Sequence, residues 1–169
     1  MFRKGDKVVY PHHGAAIIED LTEREILGER KTYFVLKLAH GDLTLMVPVD
    51  NTSEVGLRDI CSKREVKKVF EILSEEEEES STNWNRRFKT NVEKLRSGDV
   101  FQVAEVVRNL SWREKEKGLS AGEKRMLLKA RQILLSELTF AVGETEDKAT
   151  AMVDKVLDES HEVLLQKSG

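Results

Sequence analysis

The sequence predicts an α+β chain in two parts: a small β barrel or curled sheet, followed by an all-α four-helix unit. Three observations predict it. Short apolar alternations broken by turn residues fill the first fifty positions, helix caps and 3.6-residue periodicity dominate after residue 83, and an acidic run without apolar residues separates the two.

The strand signals come first. They cover 7–10, 16–18, 33–38 and 43–47, and Gly14, Gly28 and Gly41-Asp42 interrupt them where turns are expected. A few antiparallel strands bury little until they curl or close on themselves, hence the barrel or curled sheet. Pro48 ends the last clear strand. Ser62-Lys63-Arg64-Glu65 then has the spacing of a capping box, and Val66, Val69, Phe70 and Leu73 follow at helical intervals. This helix is expected to close the first unit, over 1–74. Residues 75–82 (Glu-Glu-Glu-Glu-Glu-Ser-Ser-Thr) offer no face to bury and repel one another, so they read as a linker. The second unit, 83–169, holds helices predicted over 83–95, 99–112, 120–140 and 145–165, the third opened by a second capping box of Ser120 and Glu123. Each has one apolar stripe and needs partners to cover it.

Composition bounds the function. Hydrophobic residues at 39% and charged residues at 35% suit a soluble folded protein. No run approaches the roughly 18 apolar residues of a membrane span, and the start lacks a signal-peptide core, so a cytoplasmic protein is expected. A lone cysteine, Cys61, has no disulfide partner and no second thiol for a metal site, and reads as a small, partly buried hydrophobe. The net charge of −3 is unevenly spread. Residues 83–131 carry 13 Lys/Arg against 6 Asp/Glu, whereas 132–169 carry 3 against 8. The basic segment is the stretch that attracts phosphates.

Catalytic constellations are thin. Adjacent residues such as His12-His13 point to opposite faces of a strand and can share one metal only if the backbone turns there, and no Cys or third His lies nearby; His40 and His161 stand alone. No phosphate-binding loop, zinc-protease or nucleophile-elbow motif is present. No enzyme activity and no cofactor are expected. An aromatic cage of Tyr10, Tyr33 and Phe34 fails because Tyr33 and Phe34 are strand neighbours on opposite faces.

The informative segment is Asn83-Trp84-Asn85-Arg86-Arg87-Phe88-Lys89, where a tryptophan and three cations meet at a helix start. Periodicity favours a core role, since Trp84, Phe88, Val92 and Leu95 share one stripe. The alternative is a projecting ring that wedges against unstacked bases while cations hold phosphates. Further on, Lys124, Arg125 and Lys129 present a basic strip opposite Leu127, Leu128 and Leu134.

Four motifs in order, Gly5-Asp6-Lys7-Val8-Val9-Tyr10-Pro11-His12-His13-Gly14, Val55-Gly56-Leu57-Arg58-Asp59, Thr82-Asn83-Trp84-Asn85-Arg86-Arg87 and Leu119-Ser120-Ala121-Gly122-Glu123-Lys124-Arg125-Met126-Leu127, resemble the CarD/CdnL family, its actinobacterial members most closely. The resemblance implies a Tudor-like first domain, related to the polymerase-interacting domain of the transcription-repair coupling factor, which docks on the RNA polymerase beta subunit. It implies a helical second domain at the upstream edge of the promoter bubble, with Trp84 as a minor-groove wedge beside Asn83, against the core role that periodicity favours. Polymerase contacts carry over to Arg24, Ile26 and the strand near Met46. Some members have an arginine where this chain has Met46, which replaces an electrostatic contact by an apolar one. DNA contacts are expected at Asn83, Trp84, Arg86, Arg87, Lys89, Lys124, Arg125 and Lys129.

A transcription regulator stabilising the open promoter complex, monomeric and associated with the nucleoid through polymerase, is therefore expected. The rival is a polymerase-binding adaptor whose helical half binds another protein. No nucleotide-binding loop is present to drive a translocase.

Overall fold

In the computed structural model, residues 2–39, 41–76 and 83–168 are described. His40 and residues 77–82 of the predicted linker lie outside them. The first part is a five-stranded antiparallel sheet of β1 (Lys7–Tyr10), β2 (Gly14–Ile26), β3 (Glu29–Leu38), β4 (Thr44–Pro48) and β5 (Arg58–Asp59), in the order β4-β3-β2-β1-β5. Val8, Ala16, Ile18, Phe34, Leu36, Leu38, Val47 and Leu57 form its core. Alternation within β3 explains the inward set, with Phe34, Leu36 and Leu38 on one face.

β2 and β3 run far past the segments predicted from alternation. Their outer halves, Thr22 to Ile26 opposite Glu29 to Tyr33, project as a hairpin largely exposed to water. With both faces solvated, no period-2 apolar signal arises, so sequence reading stops short. The hairpin closes at Leu27-Gly28, with φ of 54° and 81°, the paired positive values a two-residue turn requires. The two-residue β5 was missed because it carries no pattern.

Among the described residues five α-helices follow: α1 (Lys63–Ser74), α2 (Trp84–Arg96), α3 (Val100–Glu116), α4 (Ala121–Val142) and α5 (Glu146–Ser168). Both predicted capping boxes form, at Ser62/Glu65 and Ser120/Glu123. One expectation fails: α1 does not close the sheet unit. Its Val66, Val69, Ile72 and Leu73 are buried in one cluster with α3, α4 and α5, through Val103, Val107, Leu134 and Val153 among others. Periodicity identified the buried face of this helix but carries no information about which partner covers it.

The two parts are joined by polar contacts at their junction. Ala15 N–H donates to Ser136 Oγ (2.9 Å), which in turn donates to the Ile133 carbonyl (2.7 Å). Arg58 donates to both carboxylate oxygens of Glu137, at 2.7 and 2.8 Å, and through Nε to the Gly98 carbonyl. Pro11 sits between Gly56 and Gly98, whose added Cβ atoms would lie 3.1 and 3.0 Å from its Cγ. Thus Pro11 and Gly14 of the first motif, and Gly56 and Arg58 of the second, are junction residues.

Candidate nucleic-acid interface

α2 begins at Trp84 because Asn83 caps it, its side-chain oxygen accepting from the backbone N–H groups of Asn85 (2.9 Å) and Arg86 (3.3 Å). The apolar stripe enters the core obliquely. Leu95 is buried, Phe88 and Val92 are half-buried against the helical core, and Trp84 at the open end is 41% exposed. The periodicity expectation of a core tryptophan is corrected accordingly: spacing gives the face, not the depth at a helix end. The indole stacks on Phe88, with centroids 4.9 Å apart and planes 18° from parallel.

The first turn of α4 packs against the same ring, since a Cβ on Gly122 would lie 3.5 Å from Phe88 Cε2. The N-termini of α2 and α4 therefore meet at one place, each with the partial positive charge of a helix start. Beneath them Glu123 is 2% exposed. Its carboxylate accepts from Trp84 Nε1 (3.3 Å), Ser120 Oγ (3.1 Å) and Arg87 Nε (3.4 Å), and pairs with Arg113 Nε at 3.7 Å. Burial pushes its pKa up, but the hydrogen bonds from Ser120, the Arg87 charge and the Trp84 N–H outweigh this and hold it below the ordinary carboxylate value.

The predicted DNA-contact residues separate into two groups. Arg87 is buried and directed at Glu123, so its charge serves the fold. Arg86, Lys89, Lys124 and Arg125 are exposed and Lys129 is half-exposed, and none of the five makes an ion pair among the described residues. Neighbouring cations of the basic segment do: Lys94 with Glu105, Lys115 with Asp158, Arg131 with Asp154. Leu127 and Leu134 are buried as expected, but Leu128 is 61% exposed and joins the strip instead of opposing it. It lies four residues after Lys124, hence on the same face.

His12 and His13 form an exposed turn, His12 at φ 70°, with the His13 ring against Tyr10. Burial, then the Lys129 charge, lowers both imidazole pKa values; Arg96 adds to the effect on His12. The turn thus lies within electrostatic reach of the basic strip, a proximity no sequence signal revealed. Among the described residues, no group of His, Cys, Asp or Glu could hold a metal ion, and no helix is long and apolar enough to cross a membrane.

On the sheet, Arg24 and Met46 border one open depression with Asp20, Thr22, Val35 and Thr44. Ile26 stands at the hairpin end beside fully exposed Leu27. Leu21, Ile26, Leu27, Leu43 and Met46 are exposed apolar residues of this part.

Comparison with known proteins fits this two-part build. Residues 2–61 match the model of the CarD-like/TRCF RID domain, and residues 68–154 match that of the CarD C-terminal domain. YdeB of Bacillus subtilis (strain 168), a candidate transcription factor, is 38% identical over 146 residues, 86% of this chain and 95% of that protein. A solved structure, CdnLNt from Myxococcus xanthus, is 33% identical over 37% of this chain and 89% of that one, at a TM-score of 0.33. The chain therefore joins a CarD-like/TRCF RID domain to a CarD C-terminal domain. It belongs to the CarD family.

Proposed function

We propose that the chain is a transcription regulator that docks on the RNA polymerase beta subunit through Arg24, Ile26 and Met46 and stabilises the open promoter complex through Trp84 at the upstream fork of the bubble. The observation that carries this reading is the half-exposed indole at the meeting of two helix starts, near cations that have no acidic partner among the described residues. Unpaired cations attract phosphates, and a flat apolar ring among them stacks where bases have parted. The exposed apolar residues of the sheet part support the docking half of the reading, since such patches favour a protein partner.

No cofactor, hydrolysis or catalysis is needed. A protein that binds the opened fork better than closed DNA shifts the equilibrium by that difference alone, and about 1.4 kcal/mol changes the open-to-closed ratio tenfold. Docking on polymerase supplies the local concentration that weak DNA contacts lack. The test is a binding titration with forked and fully paired promoter DNA, with and without polymerase. Preference for the fork, strengthened by polymerase, is expected; equal binding to both DNAs sinks the fork reading, and binding to polymerase without DNA contact leaves an adaptor.

A further inference from the structure

We infer that Glu123 is the positioning residue for Trp84, fixing the orientation in which the indole is presented; this rests on the wedge reading above. A capping-box glutamate ordinarily reaches only its own helix start, and Glu123 does so through Ser120. Here the same buried carboxylate also reaches across to α2 and α3. Oε1 accepts from Trp84 Nε1, while Oε2 faces Arg87 and Arg113.

The indole has one donor and no acceptor, so satisfying that donor fixes the ring's rotation. The Phe88 ring fixes its plane. Together these contacts favour one orientation of the ring, and the acceptor is a charged group, which makes the stronger kind of hydrogen bond. The two arginines hold the carboxylate in place and offset a negative charge that would otherwise lie close to approaching phosphates. A ring already held as it will be used loses less freedom on binding than a mobile one.

If Glu123 served only to cap α4, Ser120→Ala, which removes the hydroxyl half of the cap and leaves the carboxylate beside the tryptophan, would reproduce its loss. Four single variants of the whole chain, Glu123→Ala, Glu123→Gln, Ser120→Ala and Trp84→Ala, and the double variant Trp84→Ala/Glu123→Ala separate these roles. Two readouts are used, hydrogen exchange of the Trp84 indole N–H in the protein alone and the lifetime of open promoter complexes. Glu123→Ala is expected to speed indole exchange and shorten the lifetime several-fold. Ser120→Ala lowers the melting temperature but, since the carboxylate stays in place beside the indole, changes indole exchange and lifetime far less than Glu123→Ala. Glu123→Gln, which keeps a carbonyl acceptor, restores most of the lifetime and keeps the assignment testable if the alanine variant folds poorly. The double variant Trp84→Ala/Glu123→Ala has the lifetime of Trp84→Ala alone. Additive losses, or indole exchange unaltered by loss of the carboxylate, would overturn the assignment. A normal lifetime in Glu123→Ala with a short one in Trp84→Ala defeats the positioning role and leaves the wedge standing. A normal lifetime in Trp84→Ala defeats both.

Discussion

Arg58 and Glu137, 79 residues apart in the chain, form a two-bond fork that ties β5 to the C-terminal half of α4. Glu137 is almost fully buried and its Oε2 also accepts the Cys61 N–H at 2.8 Å. The sheet that carries Arg24 and the helical part that carries Trp84 are thus joined through side chains as well as through the chain. Breaking a buried pair from one side leaves an uncompensated charge, so Arg58→Ala or Glu137→Ala should destabilise the protein by about 3–5 kcal/mol, Glu137→Ala the less because the Arg58 charge it leaves behind is partly solvated, whereas Arg58→Ala strands the buried carboxylate. Urea denaturation measures this. A loss below about 1 kcal/mol for Glu137→Ala would show that the fork contributes little.

The junction also bears on Gly14. A Cβ there would lie 2.8 Å from Ser136 Oγ, at a φ of 94°, whereas Gly28, at φ 81°, has open space. Gly28→Ala therefore reports the cost of positive φ alone, about 1–2 kcal/mol. Gly14→Ala adds the clash and displaces the Ala15–Ser136 hydrogen bond, so it should cost at least about 1 kcal/mol more. Equal losses in thermal denaturation would mean that the junction yields.

These residues show how far the sequence was legible. The two-part α+β plan, the capping boxes and the basic strip came from spacing and charge, because each is a local property. The Arg58–Glu137 fork, the packing of α1 on the helical core and the inward turn of Arg87 are long-range pairings. Arg87 has exposed cationic neighbours on both sides of it in the segment, Arg86 and Lys89, and only the position of Glu123 on another helix distinguishes it.

Cys61 should be inert in the native protein. Burial above all, then the Glu137 charge and hydrogen bond, pushes its thiol up to about 12. At pH 8.5 an ordinary thiol is half ionised, whereas this one holds its proton, so disulfide reagents should label it only after denaturation. The linkage has a definite sign. The unfolded chain releases this proton first, so the contribution to stability is complete below about pH 8.5 and is lost as pH rises toward 12. Rapid labelling of the folded protein at pH 8.5 would contradict this environment.

Charge reversal should divide the cations as the structure does. Lys124→Glu with Lys129→Glu should weaken DNA binding on unrelated sequences alike and reduce the salt slope by about 2, without changing the melting temperature appreciably. Arg87→Glu places a second carboxylate beside buried Glu123 and should instead unfold the helical part or lower its stability by several kcal/mol, roughly the cost of a broken buried pair. Binding isotherms at several salt concentrations, together with thermal melts, test both. Loss of affinity on one sequence only would indicate base reading by the lysines.

Trp84→Ala bears most directly on function, and its two outcomes differ in size. Truncating a buried tryptophan costs about 3–5 kcal/mol. Here the ring is 41% exposed, and its interactions are a stack on Phe88 and one hydrogen bond to Glu123, each worth about 1 kcal/mol. The expected stability loss is therefore about 1–2 kcal/mol, a fall of a few degrees in melting temperature for a chain of this size. Binding to polymerase should be unaffected, because Trp84 lies on α2 and the proposed docking residues lie on the sheet. Open-complex lifetime should respond much more strongly. A stacked base is worth about 1–3 kcal/mol, which shortens the lifetime from roughly fivefold to more than a hundredfold. Trp84→Phe keeps a flat ring but loses the N–H that Glu123 holds, so it should fall between alanine and the wild type. A melting temperature lowered by more than about 10 °C would return the tryptophan to a structural role. An unchanged lifetime in a well-folded Trp84→Ala protein would leave phosphate contacts by Arg86, Lys89, Lys124, Arg125 and Lys129 as the only means of holding the fork.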